Sequence, residues 1–252
     1  MTDKAHRDQL AQARSLMRKP DRERALAYLE EIISDRSALD GETELLYALL
    51  LCVNQRSEEG QPRLQKAARK APENKEWQSD FGFALTLMGY LGRAEATLID
   101  VCQKPDVTAV DFGRLGAAQI QLGKLQQAED AYLEAVHREP GRAEWHSNIG
   151  GIRARQYRLD EALQQYERAL QLDPENTKIQ QLRDRILVGL DRPDELVAER
   201  EKEVRDSPKS IQSHLKLARA QDLAERPDAA IETFQSAFQL LQNGDGQDAE
   251  DY

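Results

Sequence analysis

Apolar side chains recur along this chain at steps of three and four. Leu163, Tyr166, Ala169 and Leu170 form one such stripe. Ile179, Leu182, Ile186, Leu187 and Leu190 form another, and Ile231, Phe234, Ala237, Phe238 and Leu241 a third. That spacing gathers the apolar side chains on one face of an α-helix and leaves the other face to Glu, Gln, Lys and Arg. No stretch alternates apolar and polar residues with the β-branched and aromatic enrichment of a strand. Ala, Leu, Gln, Glu and Arg dominate, and glycine and proline are sparse. The pattern therefore predicts helices throughout, interrupted by short turns.

The stripes repeat with a fixed period. Gly82, Gly116 and Gly150 are 34 residues apart, and each follows a large apolar residue: Phe81, Leu115 and Ile149. Ala94, Ala128 and Ala162 keep the same interval. So do Leu98, Tyr132 and Tyr166, and then Val101, Ala135 and Ala169. Pro140, Pro174 and Pro208 continue it, and Pro72 lies two periods before Pro140. Small residues in fixed columns let two helices approach closely, and large ones fill the space between neighbouring hairpins. A single hairpin cannot bury its stripe, so the hairpins must stack.

These columns resemble the tetratricopeptide repeat, a helix–turn–helix unit of the same length with W-x2-L-G-x2-Y followed by Ala, an aromatic, Ala and Pro. The clearest copy runs from Ala143 to Asn176, with Trp145, Ile149-Gly150, Ala162, Tyr166, Ala169 and Pro174. Further copies start at Gly41, Lys75, Ala109, Thr177 and Ile211, with a first near His6. The resemblance implies an all-α, right-handed α-solenoid of about seven hairpins over residues 1–242, followed by a disordered acidic tail at 243–252. Two copies depart from the pattern. At Thr177, Arg183 and Asp184 stand in the Leu-Gly columns, and Leu196, Arg200 and Glu203 replace Ala, aromatic and Ala. At Gly41, Gly60 stands in an Ala column. Both are expected to be hairpins with altered packing.

Charge narrows the function. The chain carries 45 acidic and 35 basic side chains, and the excess lies wholly beyond residue 74. That balance argues against a general nucleic-acid binder, which needs a net basic face. No run of about 18 apolar residues exists to span a membrane. Two cysteines, Cys52 and Cys102, are far apart and read as packing residues of a reducing compartment. Met1–Leu10 has no apolar run and so does not read as a signal peptide. The expected location is cytoplasmic.

No catalytic constellation is legible. His6, His137, His146 and His214 fall in separate repeats, and no pair has metal-ligand spacing. Gly116 to Lys124 has six residues between its glycines and Leu125 in place of Ser or Thr, so it is not a phosphate loop. The expectation is no enzyme, no cofactor and no metal.

In the resembled family, the first helix of each hairpin lines a concave groove that holds partner proteins or peptides. Carried over, the groove columns hold Phe83, Arg114, Ser147, Asn148, Arg155, Lys178 and Arg185. Asn, Arg and Lys can bind a peptide's carbonyls and carboxylates with little demand for its sequence. The family's five-residue carboxylate clamp is matched only at Asn148 and Lys178. Gly113, Ala117 and Leu182 occupy the other columns, which argues against that specific role. The expected function is a protein-interaction scaffold. The alternative is the N-terminal recognition module of a larger enzyme of sulfotransferase or glycosyltransferase type. The stripe on the last helix leaves further alternatives: self-association through this C-terminal edge, a docked partner, a further domain, or burial by the preceding hairpin.

Overall fold

The computed structural model describes residues 3–16, 22–34, 39–70 and 74–244, with the backbone alone for residues 3–7. Residues 245–252 of the expected acidic tail, Pro72 and the side chain of His6 lie outside the described residues. Fourteen α-helices and no strand occur among the described residues. They pair in order as hairpins: α1 (Asp3–Ser15) with α2 (Arg22–Ile33), α3 (Gly41–Val53) with α4 (Ser57–Arg69), and α5 (Lys75–Leu87) with α6 (Leu91–Cys102). Then come α7 (Ala109–Gln121) with α8 (Leu125–Arg138), α9 (Ala143–Arg155) with α10 (Leu159–Leu172), α11 (Thr177–Gly189) with α12 (Pro193–Asp206), and α13 (Ile211–Leu223) with α14 (Pro227–Gln242). The fold class is an all-α solenoid.

Three devices recur in register along the hairpins. The first is the N-cap. Asp40, Asn74, Asn176 and Ser210 each accept a hydrogen bond from the backbone amide three residues on, and Thr108 forms a full capping box with Asp111. Each such cap stabilises its helix by about 1 kcal/mol. Arg142, at the same register before α9, makes no side-chain cap. The second device is the turn between the two helices. Gln55, Gly89, Gly123, Tyr157, Asp191 and Glu225 all have φ between 57° and 79°, one left-handed residue per period. Only two of the six are glycine, the residue that takes this conformation without strain.

The third device is close approach within the hairpin. A Cβ added to Gly82 would sit 2.6 Å from Leu98, and one added to Gly116 would sit 2.6 Å from Tyr132. One added to Gly150 would sit 3.1 Å from Tyr166. The glycine and the large residue sixteen positions later are thus a matched pair.

The chain divides into two compact units, Met1–Pro140 and Gly141–Tyr252. In the first, α1 packs on α3, α3 on α5 and α5 on α7, with α2, α4 and α6 each against the next first helix. Helix α3 is apolar all round and buries Leu45, Leu46, Leu49, Leu50 and Leu51 between two clusters. One cluster holds Leu10, Leu26 and Leu29; the other holds Leu64, Phe81 and Leu98, with Trp77 stacked on Phe81 at 4.7 Å. In the second unit α10 packs on α11 and α12 on α13, around Leu163, Tyr166, Ile179, Leu187, Leu196 and Leu217.

Candidate partner-binding surfaces

The first unit carries a polar cleft of about 280 Å³ across α1, α5 and α7. Asp80 on α5 accepts from two guanidiniums: Arg14 of α1 at 3.0 Å and Arg114 of α7 at 2.8 Å. Arg114 also donates to the Ser79 hydroxyl at 2.7 Å and lies 5.2 Å over the Phe83 ring. Such a stack contributes about 0.5–1 kcal/mol. The Ser79 hydroxyl in turn donates to Asp111. Asp111, buried on α7, further accepts from the Thr108 amide at 2.9 Å, the Thr108 hydroxyl at 2.8 Å and the Lys75 ammonium at 3.3 Å. Burial pushes the Asp111 carboxyl up, but the hydrogen bonds from Ser79 and Thr108 and the Lys75 charge outweigh it and hold it below its ordinary 3.8.

Of the seven groove residues, Arg114 therefore lines this cleft, and Phe83 meets Arg114 beside it. Arg114 is already engaged by a carboxylate, a hydroxyl and a ring inside the chain. Arg14, which the groove columns do not include, completes the network. The first hairpin lacks the column residues that would have flagged it.

The other five groove residues belong to the second unit and are arranged differently. Ser147, Asn148, Gly151 and Arg155 lie within about 100° of helix face on α9, and Lys178 and Arg185 share one face of α11. Arg155, Lys178 and Arg185 are exposed, and Ser147 and Asn148 are half-buried. Among the described residues none of these five side chains has a hydrogen-bond or ion-pair partner. The Tyr166 hydroxyl links the two faces. It lies 3.5 Å from where a Cβ on Gly151 would be. Burial pushes it up, and the Arg185 charge pulls it down. A side chain at 151 would sit in van der Waals contact with that hydroxyl.

Next to this face, the sixth hairpin replaces the glycine–aromatic pair with charges. Asp184 stands at the glycine position and Arg200, 6% exposed, at the aromatic one. They pair at 3.4 Å, and Arg200 also bonds Glu203. Burial holds the Asp184 carboxyl above its ordinary 3.8 despite Arg200 and Arg183, with Glu199 adding to the rise. The pair borders a cavity of about 340 Å³ that Gln181, Lys216 and Arg219 also line. The altered packing expected of this repeat is thus an ion pair in place of a steric fit.

At the end of the second unit, Ile231, Phe234, Phe238 and Leu241 of α14 are about half exposed. With Ile211, Leu215 and Ala237, the last three line an apolar groove of about 380 Å³. Among the described residues no group of three His, Cys, Asp or Glu is placed to hold a metal ion, and no helix is long and apolar enough to cross a membrane.

Comparison with known proteins agrees with this geometry. A tetratricopeptide repeat family profile matches residues 114–177. No curated protein matches the chain. Among solved structures, the Cut9–Hcn1 hetero-tetramer of the APC/C aligns with a TM-score of 0.65 at 14% identity, over 93% of this chain and 46% of that one. This chain thus spans about half the length of that neighbour. PilF of Pseudomonas aeruginosa aligns with a TM-score of 0.60 at 16% identity, over 87% of this chain and 98% of PilF. The C-terminal part of a repeat protein from Cytophaga hutchinsonii aligns with a TM-score of 0.59 at 18% identity, over 79% and 80% of the two chains. At these identities the likeness is one of fold.

Proposed function

Since the chain belongs to the tetratricopeptide repeat family, we propose that it is a protein-interaction scaffold whose partner-binding face is the α9–α11 surface of the second unit. One observation supports this reading: Ser147, Asn148, Arg155, Lys178 and Arg185 offer donors that have no hydrogen-bond or ion-pair partner among the described residues, beside the small Gly151. An extended peptide supplies what they lack. Its backbone carbonyls suit Ser147 and Asn148, and acidic side chains or a terminal carboxylate suit the three cations. Arg114 and Phe83 act differently. Their mutual stack and the Asp80 pair hold the first unit's cleft in one shape, and a ligand carboxylate there would have to displace Asp80. No chemistry is assigned to either surface, because binding alone accounts for the donors.

An array of extended acidic peptides, with amide-neutral versions of each, tests this. Wild type should retain acidic members preferentially. Asn148→Ala with Arg155→Ala and Lys178→Ala should lose at least about tenfold in affinity, since a single charge-assisted bond contributes about 1.5–3 kcal/mol. Arg114→Ala should leave retention nearly unchanged. Equal retention by wild type and the triple variant, with helicity intact, would refute the assignment.

A further inference from the structure

The exposed residues of α14 are not scattered. Ile231, Phe234, Phe238 and Leu241 follow one another at steps of three, four and three. That is the a–d spacing of a coiled-coil seam, the narrow stripe by which one helix packs along another. In the repeats before it, this register is covered by the first helix of the next hairpin. Earlier repeats show this at the same registers: Leu163 and Tyr166 of α10, and Val197 and Arg200 of α12, are at most 6% exposed, with α11 and α13 packed on those helices. Their α14 equivalents Ile231 and Phe234 are 53% and 46% exposed.

The composition around the seam indicates what covers it. The chain has a net charge of −10, so two copies repel across most of their surfaces. From Ala229 to Asn243 the sequence holds one charged residue, Glu232, and it does not lie in the seam. Gln235 and Gln242 occupy the e sites where a heterotypic helix pair would carry complementary charges, and Ala230 and Ala237 occupy the g sites. A flank of amides and alanines neither repels its own image nor selects a charged stranger. Nothing basic in the segment suits an anionic lipid surface.

We infer that α14 is a homodimerisation helix, which packs antiparallel against α14 of a second copy of this chain. The register follows from the spacing. An antiparallel pair related by a two-fold axis near Ser236 sets Ile231 opposite Leu241 and Phe234 opposite Phe238, so all four residues of each copy are matched at once. Phe238 of one copy then enters the groove between α13 and α14 of the other, against Ile211, Leu215 and Phe234. A seam of this length, about 15 Å, buries less than a standard interface, so the dimer should dissociate in the micromolar range. This inference is independent of the α9–α11 peptide face.

Sedimentation velocity of the full chain between about 1 and 300 µM is the first test. Wild type should shift from monomer to dimer. Phe234→Asp with Phe238→Asp should stay monomeric at every concentration with unchanged far-UV circular dichroism. Asn148→Ala with Arg155→Ala and Lys178→Ala should dimerise as wild type does. Cross-linking fixes the direction. An equimolar mixture of Ile231→Cys and Leu241→Cys chains should form the mixed 231–241 disulfide on mild oxidation, identified by mass spectrometry, and neither chain alone should cross-link at its new position. A wild type that stays monomeric throughout, a dimer that survives the two aspartates, or a 231–231 link would each overturn the inference.

Discussion

Each unit withdraws a helical aspartate from solvent, Asp111 fully and Asp184 in large part, and the two fare oppositely. Asp111 of the first unit sits among four donors already aimed at it, and its carboxyl is held below the ordinary range. Asp184 of the second unit faces two guanidiniums at 3.4 and 3.7 Å, and its carboxyl is held above that range. Burial acts the same way on both. Hydrogen bonds from short, fixed side chains overcome it, whereas charges at longer range do not. The first carboxylate strengthens its unit. The second weakens its unit wherever it is ionised.

The sharpest way to break this contrast is Asp111→Ala. It leaves Ser79, Thr108 and Lys75 without their shared acceptor and should destabilise the first unit by about 3 kcal/mol. Hydrogen exchange resolved by residue would place the loss in α5 and α7 and spare the second unit. The converse experiment restores the steric pair of the other repeats. Asp184→Gly with Arg200→Tyr should stabilise the second unit by about 1–3 kcal/mol, read as a rise in its denaturant midpoint. A fall would mean that the ion pair contributes more than its burial costs.

A smaller effect separates the two aspartates by pH. A depressed carboxyl adds stability that is full above its unfolded value, near 3.8, and is lost as pH falls through its lower folded value. A raised carboxyl subtracts stability above its folded value, and the penalty disappears as pH falls towards 3.8. Between neutral pH and about pH 4, acidification should therefore favour the second unit relative to the first. Protection factors measured at pH 4 and pH 7 check the sign. Asp184→Asn should abolish the second unit's share of the change.

The smallest expected effect concerns the turns. Tyr157 is 90% exposed at a left-handed φ of 61°. Tyr157→Gly removes strain and almost no packing, and should raise stability by about 0.5 kcal/mol. An unchanged melting midpoint would show that the turn tolerates a side chain freely.

The helices were legible because their cause is periodic. Columns such as Gly82, Gly116 and Gly150 record a close approach that recurs in every regular hairpin, and a recurring constraint leaves a recurring residue. The Asp184–Arg200 pair was not legible as a pair. Each residue by itself reads as a lost motif position, and only the structure shows that the two losses compensate. The same holds for the turns. Gln55, Tyr157 and Glu225 give no sign by type of a left-handed backbone, which is imposed by the helices on either side; Asp191 alone is of a type that favours it. On the surfaces, the columns name Arg114 and Arg155 alike. Whether a cation is occupied depends on neighbours from other hairpins, such as Asp80 for Arg114, and column position does not encode those neighbours.

The recurrence of cap, left-handed turn and glycine–aromatic contact in one register also limits how this chain can change length. Removing or adding a full period returns every tooth to a matching notch. Removing fewer residues would set a cap inside a helix and a large ring against another backbone. Growth and shrinkage among its descendants should therefore come in whole hairpins, with odd-sized insertions confined to the segments between them.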